Sequence, residues 1–235
     1  MSLENYPRIF LFWTGDNKMS SNRRNCLESF YSNSFCDVEL VDSLNLSSWL
    51  VSDLHPAFPY LSFTHRSDYL RCYFMHHHGG GYSDIKFCSF DWRPYFKQLL
   101  NSDLDAYMCG YREISPSAVA TSLKTVRSAY RSLPGMGHFI FKPYTPLTSK
   151  WITRVHSYLD NLMDSLIENP GTYHPRAVFG GVHGRDLCLR IRYYNSRYPL
   201  HWNSLLGRIL HPASYEHMNN LILSMPLIDT VTDYR

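Results

Sequence analysis

The sequence has no block of consecutive lysines and arginines, and 23 basic against 20 acidic residues leave a formal charge of only +3. A nucleic-acid-binding face needs a concentrated basic stripe to neutralise phosphates, so that class is disfavoured. The six cysteines, at 26, 36, 72, 88, 109 and 188, form no Cys-x-x-Cys pair. That argues against a zinc-ribbon framework and for reduced, mostly buried thiols in a cytosolic setting. No run reaches the roughly 18 uninterrupted apolar residues of a membrane span. The opening MSLENYPRIFLFW lacks a basic segment ahead of an apolar one, and Ile9–Trp13 is too short for a signal peptide. The expectation is a soluble, cytoplasmic protein without a transmembrane segment; peripheral contact with a membrane is compatible with it. Internal repeats, low-complexity tracts and linker-like stretches are also missing, so residues 1–235 are expected to form one domain.

Aromatic residues are plentiful, with 18 Tyr, 13 Phe and 5 Trp. Most are expected to pack a core, and a few to line a pocket that stacks on flat or sugar rings. Arg8–Trp13 (RIFLFW) is short, apolar and closed by Thr14-Gly15-Asp16-Asn17, which reads as a buried strand and a turn. Ser20–Tyr31 reads as a helix capped by Ser20 or Ser21, with Cys26, Leu27 and Phe30 inward, and Asp37–Val41 as a second strand. The order strand, helix, strand suggests a parallel α/β unit of the nucleotide-binding kind.

Residues 67–86, SDYLRCYFMHHHGGGYSDIK, carry the most information. Ser67 suits an N-cap and Asp68 the first helical turn. Leu70, Tyr73, Phe74 and His77 fall on one stripe, while Asp68 and Arg71 lie three apart on another face and can act together. Gly79, Gly80 and Gly81 end the helix, because glycine enters the left-handed conformation at little cost. Tyr82–Lys86 then reads as a strand on which Asp84 and Lys86 share a face. The run His76-His77-His78 does not suit one metal ion, since neighbours on a helix diverge. Further on, Asp91 is expected to cap a helix over Arg93–Leu100, with strands at Ala106–Tyr111 and Phe139–Lys142. An amphipathic helix is expected over Thr148–Ile167, and a short helix over Trp202–Leu210 that stops before Pro212.

The string Arg66–Lys86 resembles the sugar-binding signature of the DxD glycosyltransferases. These include family 32 mannosyltransferase-like proteins, capsular polysaccharide synthesis proteins and the large clostridial glucosylating toxins. Their pattern is Ser-Asp, two apolar positions, Arg, an apolar helix, Gly-Gly, an aromatic or apolar pair, then Asp-x-Asp. Ser67, Asp68, Tyr69, Leu70 and Arg71 match its first part, and Gly79, Gly80, Tyr82 and Asp84 its second. Arg8–Gly15 and Tyr198–Pro212 resemble the first strand and the tail of such proteins. The resemblance covers about a tenth of the chain. It implies a single GT-A domain: an α/β fold with a central, mostly parallel sheet flanked by helices. Residues 1–115 would be the nucleotide-sugar half and 116–235 the acceptor half.

What the resemblance implies for the site is specific. Trp13, Thr14 and Gly15 would hold the nucleotide, and Asp68 and Arg71 the donor sugar and phosphates, with Gly80, Gly81, Tyr82 and Ser83 beside them. Asp84, Lys86 and Arg71 would carry the chemistry. Asp84 would bind a Mn2+ or Mg2+ ion, with His211 or His201 as a late ligand. One departure stands out: Lys86 occupies the position of the second motif acid. Either another group joins Asp84 on the metal, or the lysine supplies part of the positive charge that a leaving diphosphate needs. Asp91, Glu113, Asp160 and Asp186 are conceivable bases, and Ser115–Ser132 and Pro170–Arg185 are the expected acceptor-side segments. The implied partners are a nucleotide-diphosphate sugar, UDP-linked first and GDP-linked second, and a glycan or other hydroxyl acceptor. Two other functions stay open at this stage: an inactive sugar-nucleotide or glycan-binding module, and a nucleotide-sugar hydrolase.

Overall fold

A computed structural model describes residues 7–102, 105–171 and 197–227. The chain forms a six-stranded sheet with helices on both faces. Its strands are β1 (Arg8–Trp13), β2 (Asp37–Asp42), β3 (Gly80–Ser83), β4 (Met108–Arg112), β5 (Pro134–Phe141) and β6 (Leu221–Leu223), in the spatial order β2-β1-β3-β5-β4-β6. Pairs β1–β2, β1–β3 and β4–β6 are parallel, whereas β5 runs antiparallel to both its neighbours. The mixed α/β class and the mostly parallel central sheet are therefore as expected. Strands from both sides of residue 115 build the sheet.

Strand alternation sorts the core into two layers. Ile9 and Leu11 of β1 join Ile140 of β5 and Cys109 of β4 on one face. There they meet α1 (Ser21–Asn33) through Cys26, Leu27 and Phe30, and α3 (Arg93–Leu100) through Phe96 and Leu99. Phe10, Phe12, Phe139, Phe141 and Met108 point to the other face. That face is covered by α2 (Phe63–His77), α5 (Pro146–Asp160), the short α6 (Met163–Glu168) and α7 (Gly207–Glu216). A period-two strand between two helical layers has to be apolar at every position, which is why RIFLFW reads as a continuous apolar run. The short α4 (Lys124–Ser128) lies on a small satellite cluster of Val119, Val126 and Leu133.

Several expected boundaries move, each for a physical reason. Helix α2 starts at Phe63, with Ser62 as N-cap accepting from the His65 amide, so Ser67 lies inside the helix and Asp68 in its second turn. Strand β3 ends at Ser83, one residue before Asp84. The ladder is followed by a tight turn in which the Lys86 amide donates to the Asp84 carbonyl at 2.7 Å. Asp84 and Lys86 thus meet through that turn and not through strand alternation. The long helix expected over Thr148–Ile167 is two helices, broken at Asn161-Leu162, where Asn161 caps α5. Strand β5 is longer than Phe139–Lys142 and begins at Pro134. Helix α7 passes through Pro212 instead of stopping before it, forgoing one backbone donor toward Arg208. His77 is half-buried and not part of the core stripe, while Leu70, Tyr73 and Phe74 are buried as expected. Asp186, the glycines at 180, 181 and 184, and all but Pro170-Gly171 of the second acceptor-side segment lie outside the described residues.

Candidate functional site

The carboxyl ends of the parallel strands open onto one cavity of about 650 Å³. In an open α/β sheet this edge is where loops diverge and helix N-termini converge, so ligands collect there. Trp13, Thr14 and Gly15 leave β1 into this space, and Asp84, Ile85 and Lys86 leave β3 into it. Tyr111 and Glu113 come from the end of β4, and Met136 and Gly137 from the first half of β5. The first turns of α1 and α2 contribute Arg23 and Thr64, and Trp202, Asn203 and Leu206 close the side next to α7.

At the base of the cavity stands a linked cluster of charges. The Arg71 guanidinium lies between two carboxylates, 3.5 Å from Asp68 Oδ1 and 3.1 Å from Asp84 Oδ1. The Lys86 ammonium is 3.6 Å from Asp84 Oδ2. The Tyr82 hydroxyl donates to Asp84 Oδ1 at 2.8 Å, Arg71 also donates to the Met136 carbonyl at 3.2 Å, and its guanidinium stacks 4.4 Å from the Tyr82 ring centre. Arg23 donates to the Ile85 carbonyl, so the turn carrying Asp84 and Lys86 is pinned from α1 as well.

The two acids differ in state because their surroundings differ. Asp68 is almost wholly buried, and burial pushes its carboxyl up to about 7, with Arg71 opposing and Asp84 adding to the shift. Burial would raise Asp84 too, but Arg71, Lys86, the Tyr82 hydrogen bond and Arg23 outweigh it and hold that carboxyl below its usual range. Burial works against the charge of Arg71, yet Tyr82, Asp84 and Asp68 together keep its guanidinium more basic than usual. The result is one firm carboxylate, one acid that is easily neutralised, and two cations between and beside them.

Most residues expected at the site are thus gathered: Trp13, Thr14, Gly15, Asp68, Arg71, Tyr82, Asp84 and Lys86 all line the cavity. Trp13 Nε1 donates to the Asn17 carbonyl at 2.9 Å and Thr14 Oγ1 to the Phe63 carbonyl at 2.6 Å, so the loop after β1 is held against the start of α2. Gly80, Gly81 and Ser83 do not reach the cavity. Their place is in the sheet: an added Cβ at Gly81 would meet the Trp92 ring at 3.0 Å and Ile9 at 3.2 Å, and Ser83 is buried with its hydroxyl on the Asp84 carbonyl. His201 is exposed and offers its backbone carbonyl to His65, and it does not line the cavity either.

His211 is fully buried behind the cavity wall. Its Nδ1 accepts from the Ala120 amide at 3.1 Å, which places the ring proton on Nε2. That nitrogen donates to the Pro134 carbonyl at 3.2 Å and lies 3.4 Å from Glu113 Oε2. Glu113 Oε1 accepts from the Ile114 amide at 2.8 Å. His211 therefore braces Glu113, a cavity-lining carboxylate weighed in the sequence only as one of four possible bases. Of the others, Asp91 binds Arg93 on the surface and Asp160 pairs with His55, both away from the cavity. Arg23 was missed, although its position three residues after the Ser20 cap places it in the helical turn facing the end of β1.

The divalent ion expected at Asp84 meets an ill-suited donor set. A hard cation takes several oxygen ligands at roughly 2.0–2.6 Å. Here both oxygens of the carboxylate already face cations, and among the described residues no three His, Cys, Asp or Glu side chains are grouped to hold a metal ion.

No protein-family model matches the sequence, and no curated protein sequence matches it. Among solved structures, a chain described as PaToxG Glycosyltransferase is similar, with a TM-score of 0.41 and 15% identity over 92% of this chain and 84% of that one.

Proposed function

We propose that this protein is a glycosyltransferase that moves a sugar from a nucleoside-diphosphate donor, UDP-linked first and GDP-linked second, to a hydroxyl acceptor. The observation that carries the reading is the Asp68–Arg71–Asp84–Lys86 cluster at the base of a cavity at the carboxyl ends of β1, β3 and β4. Asp68, Arg71 and Asp84 also carry the sequence resemblance to the DxD glycosyltransferases, and Lys86 is where the sequence departs from that pattern, which supports placing the donor there.

In this reading Trp13 stacks on the base, and the loop Thr14–Gly15 borders the ribose. Arg71 and Lys86 face the diphosphate, which gains charge as the bond to the anomeric carbon breaks; fixed cations there stabilise the transition state more than the ground state. An acceptor hydroxyl enters from the side of Glu113, attacks the anomeric carbon and gives its proton to that carboxylate, and the nucleoside diphosphate leaves with the bonding electrons. The bracing of Glu113 by His211 and the Ile114 amide supports this role. Glu113→Gln is expected to lower kcat by about 10²- to 10⁴-fold, the usual contribution of a positioned base, while donor affinity changes by less than about 2-fold. Unchanged kcat in that variant removes Glu113 from the reaction.

The functional reading is tested by titrating UDP- and GDP-sugars into the protein in a calorimeter and following nucleotide release with candidate hydroxyl acceptors. Saturable binding followed by acceptor-dependent release is expected. Binding with no release would favour a sugar-nucleotide-binding module, and release of free sugar without an acceptor would favour a hydrolase. If no sugar nucleotide binds, the proposal is wrong.

A further inference from the structure

We infer that Lys86, together with Arg71, takes the place of a divalent cation at the diphosphate, so that donor binding in this protein needs no metal. The inference rests on the transferase reading for the identity of the anion, but its observations are separate from it. The first is the sign of the site. Cavities that bind a phosphate-bridging ion present carboxylates to it, whereas this one is lined by four cations, Lys18, Arg23, Arg71 and Lys86, against three acids, Asp68, Asp84 and Glu113. One of those acids, Asp68, is buried against Arg71 and easily neutralised.

The second observation is the turn after β3. Were β3 to continue through Lys86, that side chain and Asp84 would stand side by side, two residues apart on one face of the sheet. The bond from the Lys86 amide to the Asp84 carbonyl instead folds the chain back, and the ammonium comes to 3.6 Å from Asp84 Oδ2. A divalent ion on Asp84 would lie about 2 Å from a carboxylate oxygen. It would meet the ammonium on one side and the Arg71 guanidinium, 3.1 Å from Oδ1, on the other.

Asp84 accordingly has a different task. It is the anchor that holds two cations toward the cavity, and the Tyr82 hydroxyl and Arg23 keep the anchor in place. A lysine ammonium is a compact point charge that suits a phosphate oxygen, and a guanidinium adds a planar fork, so the pair covers both bridging and terminal oxygens. Both cations are fixed before the ligand arrives, so little reorganisation is needed when it binds.

The test compares the wild-type protein with Lys86→Asp and Lys86→Met by calorimetry, using UDP, GDP and inorganic pyrophosphate as probes, in EDTA and in Mn2+. Circular dichroism establishes that each variant is folded. Wild-type protein is expected to bind equally well in both buffers. Lys86→Met should lose about 10- to 100-fold in affinity, as for one charge-assisted hydrogen bond, and metal should not restore it. Lys86→Asp should lose at least as much in EDTA and regain it in Mn2+, because that substitution recreates the Asp-x-Asp pair. Wild-type binding that appears only with Mn2+ overturns the inference, as does unaltered affinity in Lys86→Met. Pyrophosphate bound in EDTA and lost in Lys86→Met, with neither nucleotide bound, upholds the cation replacement and rejects the nucleotide-sugar reading. Binding of none of the three probes rejects both.

Discussion

Asp84→Ala is expected to reduce transfer by about 10³-fold while the protein still folds. The magnitude follows from what the carboxylate holds. Its two oxygens receive Arg71 at 3.1 Å, Lys86 at 3.6 Å and the Tyr82 hydroxyl at 2.8 Å. Removing one fixed group that orients charge in a water-poor site costs about 10²- to 10³-fold in kcat, and here one deletion releases two cations that then repel each other. The fold survives because Arg71 keeps Asp68 and the Met136 carbonyl as partners, and Asp84 itself lies past the end of β3. Asp84→Asn separates charge from shape: an amide oxygen can still accept from Tyr82, but it no longer anchors Lys86. Its turnover should fall nearly as far as that of the alanine variant. Steady-state assays of both variants, beside thermal melts, make the comparison, and wild-type turnover in Asp84→Ala would exclude this carboxylate from the mechanism.

Gly79→Ala should destabilise the protein by about 2–6 kcal/mol, by adding two separate costs. The residue sits at φ +65°, where a side chain costs about 1–3 kcal/mol. A Cβ built there would also lie 2.6 Å from Pro143 Cδ and 2.8 Å from the Phe141 carbonyl oxygen, and relieving such overpacking costs about 1–3 kcal/mol more. A backbone oxygen in a sheet cannot swing away as a flexible side chain would. Gly79→Asn distinguishes the two costs, since asparagine tolerates the left-handed conformation but meets the same atoms. Urea unfolding would rank the wild-type protein above Gly79→Asn and Gly79→Ala, and an unshifted midpoint in the alanine variant would refute the packing argument. The link to function is direct: Gly79 joins α2, which carries Asp68 and Arg71, to β3, which ends at Ser83 just before Asp84.

Much of this architecture is visible along the chain because it is governed by local periodicity. RIFLFW reads as a buried strand, and a serine cap at Ser20 or Ser21 as the start of α1, since both signals lie within a few residues; the structure places the cap at Ser20. The helix, glycine turn and strand around residues 63–83 were legible in kind, though the true cap, Ser62, was not. Ser62 is selected by long-range contacts: its amide donates to the Tyr198 hydroxyl at 3.1 Å, and His65, its partner in the cap, is bound by Tyr198 and the His201 carbonyl. No window of sequence around Ser67 contains that information. The break in the helix after Asp160 and the passage of α7 through Pro212 likewise leave no mark in the local apolar periodicity.

What the sequence determined alone is the chemistry available: an acid and an arginine three apart on a helix, a glycine junction, a second acid, and a lysine where another acid was expected. Those are identities and spacings, and they hold whatever the tertiary arrangement. Only the tertiary structure decided how these groups face one another. Arg71 reaches Asp84 because α2 packs beside β3, Lys86 turns back onto Asp84 because the chain leaves the sheet there, and Glu113 comes to the cavity with His211 behind it from 98 positions further along. The physical reason is that electrostatic function depends on distance and burial, and both are properties of the packed chain, not of its order.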